Sequence, residues 1–246
     1  MVEIKHDESL DDLILSGLKI IQKKSGFRFA IDAVLLAHFT SLENKDKVID
    51  LGTGTGIIPL LLTTRCEDLD ITAVEIQGDM VEMAKRSLEL NNLDNIRIIQ
   101  GDFRELESLY NDKFNLVISN PPYLPLNQGK ISPREDIALS RHELKCNLRE
   151  VISTASRLLK MGGRFSLVHR SERLAEIITE FTRKNIEPKR LRLVYPQLEK
   201  PSNLVLLEGI KGAKPGLKIE KPLAVYDGQG NYTQEVLKFY GGDFNA

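Results

Sequence analysis

From Lys47 onward, short β-branched runs take turns with longer stretches whose apolar residues recur every three or four positions, the signature of strands alternating with helices. Val48-Ile49-Asp50-Leu51, Ile71-Thr72-Ala73-Val74-Glu75, Ile96-Arg97-Ile98-Ile99 and the run Phe114 to Ser119 read as four strands, and Arg164 to His169 as a fifth. Helices are expected from Ile57 to Thr64, Asp79 to Leu90, Leu148 to Lys160 and Leu174 to Arg183. Pro59 falls in the first turn of the first of them, where a missing N–H is tolerated, and Gly162-Gly163 is the expected stop of the third. Such alternation implies parallel βαβ units and a doubly wound α/β sheet. The tail breaks the rhythm. Arg190 to Tyr195 and Leu204 to Leu207 are strand-like with no helix between them, which predicts an antiparallel pair at one edge of the sheet. Ahead of Lys47, residues 10–24 carry a mixed apolar pattern broken by Ser25-Gly26, and Phe27 to Phe39 reads as a turn followed by an apolar helix. The expected division is a helical extension over residues 1–46 and the main domain over residues 47–246.

Composition narrows the class without changing this picture. With 246 residues, 41% hydrophobic and 28% charged, the chain suits a soluble globular protein with a sizeable core. Its acidic start has no signal-peptide pattern, and no apolar run reaches the length of a membrane span, so no membrane partner is expected. Cys66 and Cys146 stand far apart, which argues against a metal site and for reduced thiols in the cytoplasm. Charge is uneven: Arg141 to Lys200 holds 14 Lys/Arg against 7 Asp/Glu, a net of +7, which leaves −8 for the rest of a chain whose total is −1. A basic half suits a polyanion docking on one face. Solvated helix faces account for the same numbers.

The candidate chemistry gathers at the ends of the expected strands. Asp50-Leu51-Gly52-Thr53-Gly54-Thr55-Gly56 follows the first strand and opens a helix. Glycines there let the backbone turn sharply and approach a ligand with no Cβ in the way. The nicotinamide fingerprint would want its third glycine at position 57, which is Ile57. Glu75 ends the second strand, where a carboxylate can accept both hydroxyls of a ribose; acidic residues also cap strand ends. Asp102 follows the third strand and could accept the exocyclic amine of an adenine, with Ile76 and Phe103 as apolar walls. Asp50 could orient the loop, reach an amino group of the ligand, or serve as a cap.

The fourth strand runs into Asn120-Pro121-Pro122-Tyr123. Two prolines supply no N–H for a ladder, so the strand must end there, at the carboxyl edge where open α/β sheets bind ligands. The Asn120 amide oxygen and the Pro121 carbonyl could accept both N–H groups of a planar amine while Tyr123 stacks on its ring. This arrangement resembles the Asn-Pro-Pro-Tyr motif of S-adenosylmethionine-dependent amino-methyltransferases that act on adenine, cytosine or glutamine amides.

Across almost the whole chain, the sequence is similar to the bacterial tRNA adenine-N6 methyltransferases that modify the adenosine immediately 3′ of the anticodon in a valine-accepting tRNA. Segments carrying this are Gly26 to Ala37, Ser140-Arg141-His142-Glu143-Leu144, Lys200 to Leu206, and Val225-Tyr226-Asp227 through Tyr232-Thr233-Gln234-Glu235. The resemblance implies a Rossmann-like seven-stranded class I methyltransferase sheet with a C-terminal antiparallel hairpin, S-adenosylmethionine as cofactor and tRNA as partner. It adds Arg28 and Asp32 to the cofactor pocket formed by Asp50, Gly52, Gly54, Gly56, Glu75, Ile76, Asp102, Phe103 and Asn120. It assigns transfer to Asn120, Pro121, Pro122 and Tyr123, and RNA contact to Tyr123, Arg141 and His142. Glutamine methylation of a protein is the rival activity, but fewer than 50 residues precede Asp50, short of the helical substrate domain usual in that group. A catalytically inactive cofactor- or RNA-binding module is the rival outside enzymes.

Overall fold

The computed structural model describes residues 2–13, 17–25, 31–122 and 148–241. Its frame is a sheet that starts with β3 (Lys47–Leu51), β4 (Asp70–Glu75), β5 (Ile96–Gln100) and β6 (Phe114–Ser119). It continues with β7 (Leu159–Arg170), β8 (Ile186–Tyr195) and β9 (Leu204–Lys211). The strands run β5-β4-β3-β6-β7-β9-β8 across the sheet, and β10 (Lys218–Ile219) and β11 (Leu223–Ala224) each add two residues to the outer side of β8. All neighbours from β5 to β7 are parallel, whereas β9 lies antiparallel between β7 and β8. The expected doubly wound sheet with an antiparallel ending is therefore the observed one. Among the described residues, no helix is long and apolar enough to cross a membrane.

Period-two alternation divides the core between the two faces of the sheet. Val48, Ile71, Leu116, Ile118 and Val168 pack with α1 (Ile31–Phe39) and α2 (Ile57–Thr63). Ile49, Leu51, Val74, Val117 and Leu167 pack on the other face with α4 (Leu148–Leu158) and α5 (Leu174–Arg183). Helix α2 is buried all round from Ile57 to Leu62, as its unbroken apolar run requires. The short α6 (Gln234–Phe239) closes the α1 face through Val236.

Two expectations needed correction. The extension ahead of Lys47 is helical only in α1; before it lies an antiparallel hairpin of β1 (Glu8–Asp12) and β2 (Lys19–Lys23). Contacts with α3 (Gly78–Leu90) decide this. The Ile21 N–H donates to Ser87 Oγ at 2.9 Å, the Lys19 N–H to Asn91 Oδ1 at 2.9 Å, and Arg86 forks onto the Glu8 carboxylate at 2.7 and 2.8 Å. Ile20 and Ile21 are both wholly buried, so the pattern lacks the one-sided alternation that marks a strand in sequence.

The second correction concerns Gly162-Gly163. Helix α4 stops at Leu158 and β7 begins at once, pairing Leu159 with Phe114 before the register jumps to Arg164 with Leu116. The glycines fill the bulge between those pairs. A Cβ on Gly163 would come within 2.9 Å of Leu159 Cδ2 and 3.1 Å of the Phe114 carbonyl, so close strand approach holds glycine there.

Candidate active site

The strand order reverses between β3 and β6, and the connections after β3, β4, β5 and β6 all leave at the carboxyl edge. Parallel register sets the candidate residues in one row. Leu51 pairs with Val74, Glu75 with Gln100, and Asp50 with Ile118. Continuing each strand puts Gly52, Glu75 and Asn120 side by side, neighbouring strands being about 4.8 Å apart.

The loop after β3 is held by backbone bonds. The N–H groups of Gly52 and Thr53 both donate to the Val74 carbonyl, at 2.9 and 3.0 Å. Gly52, Gly54 and Gly56 have φ of 76°, 59° and 84°, the left-handed region in which other residues are strained. A Cβ on Gly52 or Gly54 would meet no atom within 4 Å, so the loop borders open space; one on Gly56 would press on Ala84 Cβ of α3 at 3.3 Å. Ligand approach and helix packing are thus divided between the glycines.

Glu75 is 5% exposed and already engaged. Oε2 accepts the Gly54 N–H at 2.9 Å and Oε1 the Gln77 N–H at 3.0 Å. It therefore clamps the glycine loop, a role its place at a strand end did not disclose. A carboxylate offers about four acceptor positions, which leaves room for ligand hydroxyls. Glu75→Ala is expected to lower stability by about 2 kcal/mol, the scale of a lost hydrogen bond to a charged group, or roughly 5 °C for a chain of this size. Glu75→Gln should restore only part of this, because its NH2 would replace one of the two acceptor oxygens and face an N–H donor. Thermal melts check the expectation, and an unshifted melt for the alanine variant would remove the clamp.

Asp102 caps the turn Phe103–Glu105, accepting the Arg104 N–H at 2.9 Å. The Arg104 guanidinium grips the same carboxylate at 2.9, 3.0 and 2.5 Å and reaches Glu150 of α4 at 3.1 Å. Phe103 is half-buried and packs towards the α4 core, while Ile76 is 39% exposed beside Glu75. Asp50, just below the glycine loop, is wholly buried, and neither of its carboxylate oxygens has a hydrogen-bond partner among the described residues. Burial pushes its pKa up to about 7; the nearby Thr53 hydroxyl, outside hydrogen-bond geometry, opposes the rise, and the charge of Glu75 adds to it.

Strand β6 ends at Ser119, as the prolines demand, and the Ser119 hydroxyl donates to the Leu51 carbonyl at 2.9 Å. This bond locks the β6 exit onto the start of the glycine loop. Asn120 is half-buried, Pro121 buried and Pro122 exposed. Asp32 stands half-buried in the first turn of α1. Arg28, Tyr123, Arg141 and His142 lie outside the described residues. Gln77, Arg104 and Ser119 were not foreseen; a small polar residue closing an apolar strand was the one available signal, at Ser119.

Three arginines of the +7 window are paired with carboxylates from other segments. Arg164 pairs with Glu43 and Asp46, Arg190 with Glu208 and Glu220, and Arg192 with Glu235, all carboxylates outside the window. Arg157 serves inside, donating to Asn111 Oδ1 at 2.7 Å and to the Leu106 carbonyl at 3.2 Å.

Comparison with known proteins fits this geometry. The tRNA1(Val) (adenine(37)-N6)-methyltransferase of Tolumonas auensis is 29% identical over 220 residues, covering 89% of this chain and 90% of that protein. The release factor glutamine methyltransferase of Aliivibrio fischeri is 39% identical, but over 99 residues that cover 40% of this chain and 34% of that protein. Among solved structures, a predicted O-methyltransferase from Agrobacterium tumefaciens superposes with a TM-score of 0.68 at 26% identity, covering 85% of this chain and 95% of that one. The methyltransferase domain family matches residues 42–235, a span that includes the glycine loop, the row of strand-end residues and the antiparallel ending, and the chain belongs to that family.

Proposed function

We propose that this protein transfers a methyl group from S-adenosylmethionine to the N6 amine of an adenosine in tRNA, at position 37 beside the anticodon, the activity for which the Tolumonas relative is named. The observation that carries the reading is the row Gly52, Glu75, Asn120 at the carboxyl edge of adjacent parallel strands, with the Pro121-Pro122 exit immediately after it. The residues present fit the cofactor. A buried Asp50 carboxylate with no hydrogen-bond partner among the described residues suits its ammonium group, open space over Gly52 and Gly54 suits its chain, and exposed Ile76 suits its adenine. Glu75 would accept ribose hydroxyls while keeping the loop clamped. Asp102 reaches the adenine amine only if it shares its oxygens with Arg104. Asp32, in the first turn of α1, would help close the pocket, and the family resemblance assigns Arg28 the same role.

When bound, the cofactor supplies an electrophilic methyl group on a sulfonium. The chain supplies position. Asn120 and the Pro121 carbonyl hold the amine by its two N–H groups and direct its nitrogen, and Tyr123 stacks the base. No general base is required of His142, because the amine loses its proton after it has been methylated. With Arg141, His142 is assigned to RNA contact. A tRNA substrate suits a protein working in the cytoplasm.

The local match to a release factor glutamine methyltransferase favours one rival, since a glutamine amide presents the same planar NH2 group. Labelled methyl donor, valine tRNA and a transcript with guanosine in place of adenosine 37 separate the two. Label is expected in the nucleoside N6-methyladenosine from the first RNA and none in the second. Equal labelling of both RNAs excludes that position, and label in a release factor with none in any tRNA decides for the rival.

A further inference from the structure

Three tyrosines near the end of the chain stack face to face. The rings of Tyr226 and Tyr232 lie 5.2 Å apart and those of Tyr232 and Tyr240 5.8 Å apart, with planes 14° from parallel in both pairs. Tyr232 and Tyr240 are half-buried against the α1 core, while Tyr226, the outer rung, is 38% exposed. The turn between the first two rungs is fixed. Asp227 Oδ1 accepts the N–H groups of Gln229 and Asn231 at 2.8 and 3.0 Å, and the Asp227 carbonyl accepts Gln197 Nε2 at 3.0 Å. The Asp227 carboxylate is therefore committed to the turn, and a flat aromatic face is held out at low conformational cost.

Topology sets this ladder on the same edge as the transfer site. Strand β11 runs parallel to β8, with Ala224 opposite Tyr195, and β8 runs in the direction of β7 and β6 because β9 opposes both β7 and β8. The chain thus leaves β11 towards Tyr226 at the carboxyl edge, four strand steps across from Asn120, about 19 Å at 4.8 Å per step, and by register five residues further along the strands, about 16 Å at 3.3 Å per residue, or about 25 Å in all. Leu116 and Ile118 point to the α1 side and Asn120 continues their parity; Tyr232 and Tyr240, the inner rungs, pack against the same core cluster. Between the two points stand exposed Arg170 at the end of β7 and exposed Lys200 in the β8–β9 connection. In that connection Asn203 Oδ1 is buried and has no hydrogen-bond partner among the described residues.

We infer that the ladder is a second RNA contact, in which Tyr226 stacks an unpaired base of the same anticodon loop whose adenine enters the Asn120 site. This rests on the tRNA reading above and adds a subsite to it. A stacked base needs no sequence match, since every base offers a π-face. Glu199 beside Lys200 offsets local charge, so stacking carries the contact and its contribution should resist salt, unlike phosphate contacts.

The chain contains no tryptophan, so Tyr226→Trp installs a single indole reporter. Titrated with a synthetic anticodon stem-loop RNA, this variant should show quenched fluorescence and keep wild-type affinity, whereas Tyr226→Ala should bind about tenfold more weakly. The weakening should be the same at low and high salt, with S-adenosylmethionine binding unchanged. An unquenched indole at saturating RNA overturns the ladder, as does wild-type affinity in Tyr226→Ala. If the alanine variant melts early, the indole decides alone. Quenching and binding without methylation of any tRNA would count against the proposed reaction and leave the ladder standing.

Discussion

Asn120→Ala is expected to lower turnover about a hundredfold or more, the scale on which a misplacement of about 1 Å costs an oriented reaction, while cofactor affinity stays near that of wild type. The reason is positional. The Ser119 hydroxyl pins the exit of β6 to the Leu51 carbonyl, and the next side chain is aimed from that fixed point. Removing its amide leaves the Pro121 carbonyl alone to hold an amine that must line up with the sulfonium methyl. Asn120→Asp keeps an acceptor oxygen and should retain part of the rate. Single-turnover methylation with saturating donor, beside calorimetric binding of the donor, separates the two quantities. Full turnover in Asn120→Ala would remove Asn120 from the transfer site; a large loss of donor affinity would move it to the cofactor pocket.

Elements whose pattern expresses one physical demand were readable before the fold was known. The run Phe114 to Ser119 followed by two prolines allows one interpretation, a buried strand that stops, and β6 ends at Ser119. The glycine loop was equally legible, because three alternating glycines between a strand and a helix answer to positive φ. Where two demands met, the pattern misled. Within Lys19 to Lys23, Ile20 to Gln22 are buried on both sides in a hairpin, and contacts with Arg86, Ser87 and Asn91 across more than sixty residues select it. Gly162-Gly163 carries the marks of a helix stop, yet a close approach to Phe114 calls for glycine there.

The site shows the same division. Which residues stand at strand ends follows from the order of elements, and parallel register then brings Gly52, Glu75 and Asn120 together. What each carboxylate already holds does not follow. Glu75 spends two oxygens on Gly54 and Gln77, and Asp102 is gripped by Arg104. Those bonds depend on the geometry of loops, two residues downstream for Gln77 and Arg104 and 21 residues upstream for Gly54, which leaves no trace in spacing. Which charges of the 141–200 window are already paired does not follow either: Arg164, Arg190 and Arg192 find their carboxylates in other segments.

Asp50→Asn is expected to move stability and cofactor binding in opposite directions. The Asp50 carboxyl is wholly buried and without a hydrogen-bond partner among the described residues, and burial raises its pKa to about 7 against 3.8 for a free side chain. The native state therefore holds this proton more tightly than the unfolded chain does. Its stabilising effect is complete below about pH 4 and is lost as pH rises through about 7, an interval of about three units or roughly 4 kcal/mol. Asparagine has the same shape and cannot ionise. Asp50→Asn should melt several degrees above wild type at pH 8 and no higher at pH 4. Binding should respond the other way. A cationic ammonium beside Asp50 favours the ionised form, so wild-type affinity for S-adenosylmethionine should fall about tenfold per unit of pH below about 7, with a proton released on binding. The asparagine variant should bind weakly at every pH and release none. Calorimetry in two buffers of different ionisation heat counts that proton directly. A wild-type affinity that is flat from pH 5 to pH 8 would detach Asp50 from the cofactor and leave it as a buried acid with a structural role alone.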